Sequence, residues 1–140
     1  MNKTDNKDNI IFSEAVAFAA EKHKFQTRKD GKTPYICHPI AVALMVKDAG
    51  YGIKEQTVAL LHDVIEDTDA EYEDLLYFGK DVAGAVILLT KSKEVTPEEY
   101  IDRILKNHSA AVVKNFDRLM NLRESKSCGA EFSKKILYGV

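Results

Sequence analysis

Apolar positions fall at helical spacing along almost the whole of this chain. After a polar lead-in, Met1 to Asn9, the residues Ile11, Ala15, Phe18 and Ala19 align on one face. They predict a helix that fades near Phe25, ahead of the turn signals Asp30-Gly31 and Thr33-Pro34. A second helix is expected to restart at His38-Pro39, with the proline in its first turn, and to stop at Gly50. A third is expected from about Lys54 to Glu66. The segment from Asp69 or Ala70 to Tyr77 reads as a short helix capped by Thr68 or Asp69, and that from Lys80 to Thr90 as a strongly apolar one. Thr96-Pro97-Glu98-Glu99 carries a helix start: a hydroxyl N-cap, proline at N1 and acids in the first turn. That helix is expected to end near Asn107. Ser109 then caps a long helix from Ala110 to Arg123, whose core face is Val112, Val113, Phe116, Leu119 and Met120, and Ala130 to Tyr138 is weakly helical. No stretch alternates with the two-residue period of a strand. The expectation is an all-α bundle forming one domain over residues 10–140.

The densest polar pattern lies in Leu60-Leu61-His62-Asp63-Val64-Ile65-Glu66-Asp67. On a helix turning about 100° per residue, Leu60, Leu61, Val64 and Ile65 share one side. His62, Asp63, Glu66 and Asp67 share the other. Three carboxylates within one turn repel unless something neutralises them. A divalent cation does so economically, and His62 and Asp63 supply one nitrogen and one oxygen donor toward it.

Such an ion needs at least two more ligands. His38, fixed by Pro39 at a helix start, is one candidate, against the plainer reading of a cap or buried filler. Asp117, an acid between apolar neighbours on a core-seeking helix, is another, against an ion pair with Arg118. Glu66 and Asp67 lie one turn beyond His62 and Asp63, where they would hold and deprotonate a water whose pKa the metal brings down to roughly 7; the alternative is a solvated acidic surface. Arg28 and Lys29 place two cations ahead of His38, as a polyphosphate substrate requires if the loop folds over the acidic face; the plainer reading is a solvated loop. Tyr35 either stacks on a base or packs. His23 reads as a structural or supporting residue rather than a ligand, and His108 as a turn residue.

Composition narrows the classes. The chain has 140 residues, 45% of them apolar and 30% charged, with a net charge of −2. These values suit one soluble domain and give no case for nucleic acid or a membrane surface as partner. No apolar run has transmembrane or signal-peptide character. Cys37 and Cys128 form neither a disulfide framework nor a CxxC zinc motif. A cytoplasmic protein is the plain reading.

Four stretches in order now resemble one family. They are Ala19…His23-Lys24-Phe25-Gln26-Thr27-Arg28-Lys29-Asp30-Gly31; Pro34-Tyr35-Ile36-Cys37-His38-Pro39; His62-Asp63-Val64-Ile65-Glu66-Asp67-Thr68; and Val113-Lys114…Asp117-Arg118-Leu119…Asn121-Leu122. Together they look like the HD-superfamily hydrolase domain of RelA/SpoT-type proteins, most of all the stand-alone small alarmone hydrolases. The resemblance implies an all-α domain holding one Mn²⁺ through His38, His62, Asp63 and Asp117. It implies removal of the 3′-pyrophosphate from guanosine 3′,5′-bis(diphosphate) or its triphosphate relative. Glu66 and Asp67 would then serve the attacking water, and Arg28, Lys29 and Asn121 would contact the nucleotide.

Some members of the family remove the 2′-phosphate of NADPH instead. Another nucleotide phosphohydrolase is therefore one alternative, and a non-catalytic nucleotide-sensing HD module another. Two departures from the family's pattern carry expectations. Asn115-Phe116 stands where a small or aliphatic pair is usual, so Phe116 is expected to reshape the metal pocket. The chain ends at Val140 where relatives continue, which implies a shortened final helix. With no room for a synthetase domain, hydrolysis alone is expected.

Overall fold

A computed structural model of the chain describes residues 3–125. The elements are α1 (Lys3–Lys22), α2 (Cys37–Asp48), α3 (Ile53–Leu61), α4 (Val64–Asp67), α5 (Tyr72–Leu75) with a 3₁₀ turn at Leu76–Phe78, α6 (Lys80–Leu89), α7 (Pro97–Leu105) and α8 (His108–Ser125). Among the described residues there is no strand; an isolated antiparallel bridge joins Thr27 to Pro34. The fold is all-α, as the periodicity predicts. The weakly helical stretch expected from Ala130 to Tyr138 lies outside the described residues.

The bundle is organised around α3. Thr57, Val58, Ala59, Leu60 and Leu61 are all buried, so that a stretch longer than one turn has no solvent-facing side. A helix enclosed on every side must be apolar all round. Helices α1, α2, α6 and α8 supply the enclosure. Burying each such Leu or Val is worth roughly 1.5–3 kcal/mol. Ala15 and Ala19 of α1 are fully buried and let that helix approach closely, while Ile11 and Phe18 are half-buried.

Helix ends follow local chemistry. Gly50 closes α2 in a Schellman arrangement: its N–H donates to Lys47 O, Tyr51 N–H donates to Val46 O, and its φ is +95°. The Thr96 hydroxyl accepts from Glu99 N–H at 3.1 Å, with Pro97 at N1, as the motif predicts.

Several expectations are corrected. α1 begins at Lys3, so residues 3–9 are part of it rather than a separate lead-in. The cap of α8 is Asn107, whose side-chain oxygen accepts from Ala110 N–H at 2.9 Å; Ser109 is buried inside the first turn. The short helix starts at Tyr72 after Glu71, whose N–H donates to Asp74, and not at Asp69 or Ala70. Leu119, assigned to the core face of α8, is 47% exposed.

The correction that matters most concerns the acidic segment. The helix expected from about Lys54 to Glu66 is two helices. α3 stops at Leu61 and the single turn α4 starts at Val64. Asp63 between them has φ −106° and ψ −1°, in the bridge region where active-site residues often sit. His62 and Asp63 thus leave the regular helical path at the buried end of the central helix.

Candidate metal centre and active site

Three elements converge at that break. His38 projects from the first turn of α2, His62 and Asp63 from the α3–α4 junction, and Asp117 from the middle of α8. His38 Nε2 lies 2.7 Å from Asp117 Oδ1. His62 Nε2 lies 3.3 Å from the same oxygen and 3.0 Å from Asp63 Oδ2. The ligand atoms of His38, His62 and Asp117 all fall within 4.8 Å of one another. All four residues named from sequence as ligands are therefore brought together. Asp117 pairs with the two imidazoles, not with Arg118.

The geometry suits a cation. His62 donates from Nδ1 to the carbonyl of Ala59 in the last turn of α3, which fixes the tautomer and aims Nε2 at the carboxylates. Nε2 is buried and has no hydrogen-bond partner, although two carboxylate oxygens stand close by. A buried polar atom without a partner costs about 1–3 kcal/mol. Two nitrogens and two oxygens form a donor set that Mn²⁺, Fe²⁺ or Zn²⁺ accepts.

The electrostatics of the ion-free site show the same need for positive charge. Burial favours the neutral form of Asp63, yet the charge of His62 and the Tyr35 hydroxyl outweigh it and hold the carboxyl at about 2. Asp117 is likewise held well below the usual carboxylate range; burial opposes this, and the hydrogen bond from His38 together with the close His62 imidazole overcomes it. His62 is raised well above its ordinary value against its own burial, chiefly by the charge of Asp63.

Glu66 and Asp67 stand at the exposed mouth of the site. Asp63, Glu66 and Asp67 form a second cluster with ligand atoms within 4.8 Å. Glu66 accepts from Lys91 N–H at 2.7 Å, which ties it to the end of α6. Asp67 is pushed up by partial burial and by the charge of Asp63, a shift in the direction that makes a carboxylate a better base.

The basic loop does fold toward the centre. Thr27–Pro34 pairing, Arg28 N–H to Thr33 O at 2.8 Å and Gly31 at φ +70° close it. The Arg28 guanidinium hydrogen-bonds Asn121 Oδ1 at 3.0 Å, pairs with Glu124 and lies over the Tyr35 ring. Glu124 in turn lies 3.4 Å from His38 Nδ1. Arg28 and Asn121 are thus at the site, whereas Lys29 is an exposed residue of the same loop. Phe116 packs its ring on Tyr51, 6.2 Å between centroids, and adds to the core. Its bulk is accommodated there, and not among the ligands as expected.

Sequence reasoning missed two things. Tyr35 donates to Asp63 at 2.6 Å and to Asp67 at 3.3 Å, so its phenol joins a candidate ligand to a catalytic candidate. Neither stacking on a base nor simple packing describes that role. Glu124 carried no signal, because its partners Arg28 and His38 lie more than 80 residues away. His23 is the buried supporting residue expected: it bonds Gln26 and stacks on Tyr35, centroids 4.7 Å apart. Gln26 then reaches the backbone oxygen of Asp67 at 2.8 Å.

Fold and site together define an all-α protein with a candidate divalent-metal centre at the end of its central helix. The chain belongs to the HD domain family, which it matches over residues 15–137. It is 42% identical over 137 residues to guanosine-3′,5′-bis(diphosphate) 3′-pyrophosphohydrolase MESH1 of Xenopus tropicalis, covering 90% of this chain and 75% of that one. The human MESH1 is 39% identical, with 84% and 71% covered. The Aquifex aeolicus enzyme of the same activity name is 39% identical over 87% of this chain, which spans only 19% of that much longer protein. Among solved structures, one described as a metazoan ortholog of SpoT that hydrolyses ppGpp superposes with a TM-score of 0.73 at 36% identity, covering 84% of this chain and 71% of that one.

Proposed function

We propose that this chain is a metal-dependent hydrolase that removes the 3′-pyrophosphate of guanosine 3′,5′-bis(diphosphate), or of its triphosphate relative, leaving GDP or GTP. The observation that carries this reading is the convergence of His38, His62, Asp63 and Asp117 on one point, with a buried imidazole nitrogen left unpaired there. Relatives that bear this activity in their names match most of the chain.

His38, His62, Asp63 and Asp117 hold the ion, with Mn²⁺ the preferred occupant. When bound, a divalent ion supplies Lewis acidity toward phosphoryl oxygens and makes a water acidic enough to ionise near neutral pH. The rest falls to the chain's own side chains. Glu66 and Asp67 orient the attacking water and take its proton. The water oxygen bonds to the inner phosphorus of the 3′-diphosphate, the bond from that phosphorus to the ribose 3′-oxygen breaks, and the 3′-oxygen leaves with a proton. Arg28 and Lys29 take up phosphate charge, and Asn121 contacts the nucleotide. Arg28 must exchange its Glu124 partner for substrate to do so, since a carboxylate and a phosphate compete for one guanidinium. Tyr35 keeps Asp63 and Asp67 in register. The partner is thus a nucleotide, and no described helix is long and apolar enough to cross a membrane.

The test is incubation with Mn²⁺ and guanosine 3′,5′-bis(diphosphate), with products separated by ion exchange. GDP and pyrophosphate are expected in equal amounts from the wild type, and neither from Asp63→Ala. Glu66→Gln is expected to keep its metal and lose about 10²–10⁴ in rate; full turnover in that variant would sink the role given to Glu66. Orthophosphate as the released product would overturn the pyrophosphohydrolase reading.

A further inference from the structure

A second cavity, of about 330 Å³, opens beside the metal centre between the end of α6, the start of α7 and the middle of α8. Lys91, Ser92, Tyr100, Lys114 and Arg118 are among its lining residues; three of them are cationic and no carboxylate lines it. Tyr100 forms a fixed wall, because its hydroxyl donates to Leu89 O at 2.7 Å. The ammonium groups of Lys91 and Lys114 sit 5.8 Å and 5.5 Å from its ring centroid. Among the described residues none of the three cations forms a salt bridge. Lys114 is half-buried, and burial pulls its pKa down; the charge of Asp117 opposes this, while Lys91 and Arg118 add like charge. This concentration of positive charge faces a cavity whose lining holds no carboxylate; the nearest acids acting on Lys114 are the site residues Asp117 and Asp63.

The cavity adjoins the reacting centre. Lys114 precedes Asp117 by one turn of α8, a spacing that makes side chains neighbours. The backbone N–H of Lys91 holds Glu66. The Tyr100 hydroxyl is near enough for the charges of Glu66, Asp117 and Asp63 to help raise its pKa to about 12, after burial. Arg28 and Asn121 stand in the other direction along α8, one turn beyond Asp117. Cationic groups thus flank the metal centre on both sides.

We propose that the Lys91–Lys114–Arg118 cavity receives the outer phosphate of the 3′-diphosphate, and thereby selects diphosphate esters over monophosphate esters. This rests on the substrate reading above. The outer phosphate is one bridging oxygen from the phosphorus under attack, so it must lie in the space adjoining the metal ligands. The 5′-diphosphate is separated from that phosphorus by the whole ribose and falls to the Arg28 flank. After hydrolysis the same cations hold the pyrophosphate product, so inorganic pyrophosphate is itself a ligand of the cavity.

The experiment measures inhibition by, and calorimetric binding of, inorganic pyrophosphate and orthophosphate on the Mn²⁺-loaded protein at fixed free metal. Wild type, Lys91→Met, Lys114→Met and Lys114→Arg are compared. Pyrophosphate is expected to bind the wild type at least ~10-fold more tightly than orthophosphate. Each Met variant is expected to lose ~10–100-fold for pyrophosphate, with little change for orthophosphate, and Lys114→Arg to recover most of the loss. In parallel, kcat/KM for guanosine 3′,5′-bis(diphosphate) over that for guanosine 5′-diphosphate 3′-monophosphate should fall in both Met variants. Unchanged pyrophosphate affinity in Lys91→Met, an exposed residue whose loss leaves the core intact, would overturn the proposal. So would an equal loss for both anions. Lysine-dependent pyrophosphate binding by a wild type that leaves guanosine 3′,5′-bis(diphosphate) untouched would uphold the cavity's diphosphate site and reject the substrate.

Discussion

Tyr35 links Asp63, a proposed metal ligand, to Asp67, a proposed catalytic acid, through one phenol. Removing that hydroxyl in Tyr35→Phe takes a hydrogen bond from Asp63 and frees Asp67 to swing. Groups that orient ligands from behind are typically worth 10–100-fold in metal affinity or activity, so a loss in that range is expected. Titration of Mn²⁺ followed by single-turnover hydrolysis separates the two contributions. Proton linkage offers a second check. His62 in the ion-free chain is raised above its ordinary 6.5, so its contribution to ion-free stability is complete below that value and lost as pH climbs through the raised one. Asp63, lowered from 3.8 to about 2, contributes above 3.8 and stops contributing as pH falls toward 2. The ion-free Tm should therefore decline below about pH 4 and again as pH climbs through the raised pKa of His62. Ligation requires the neutral imidazole, so Mn²⁺ affinity should rise with pH and binding should release a proton. Calorimetry in two buffers of different ionisation enthalpy reads that proton directly.

At the scale of elements, the break between α3 and α4 sets the geometry of the site. An uninterrupted helix would put His62 and Asp63 on its outer face. The turn at Asp63 lets His62 be buried on Ala59 O while Asp63 faces Tyr35 and His62. The helix caps are independent of this chemistry. Thr96→Ala removes the oxygen that accepts from Glu99 N–H and should cost about 1 kcal/mol of stability with activity per folded molecule unchanged, as urea unfolding and a rate assay would report. Gly50→Ala forces a side chain into φ +95° and should destabilise by roughly 1–2 kcal/mol by the same measurement. No neighbouring atom would meet the added methyl, so the cost is conformational and not steric.

Across the whole molecule, an ion held by His38, His62, Asp63 and Asp117 would tie α2, the α3–α4 junction and α8 together. An ion that binds only the folded arrangement stabilises it by about 2.7 kcal/mol at a hundred times its dissociation constant. Chelation should accordingly lower Tm by several degrees, and re-addition of Mn²⁺ should restore it. In Asp117→Asn the same titration should produce a much smaller shift, since that carboxylate touches both imidazoles.

Sequence by itself determined the all-α class, the main helices, the Thr96 cap and the Gly50 stop, because each depends on residues within a turn or two of one another. The polar face of the acidic segment also pointed to His62 and Asp63 and left His38 and Asp117 as candidates, and the resemblance to a known family implied all four. Tertiary structure alone decided the break of the acidic helix, where convergence with α2 and α8 overrides the local preference to continue. It alone revealed Glu124 behind His38, Tyr35 between two acids, and the cationic cavity formed from α6, α7 and α8. These depend on pairs tens of residues apart, whose separation is set by how the helices pack around α3 and by no periodicity along the chain.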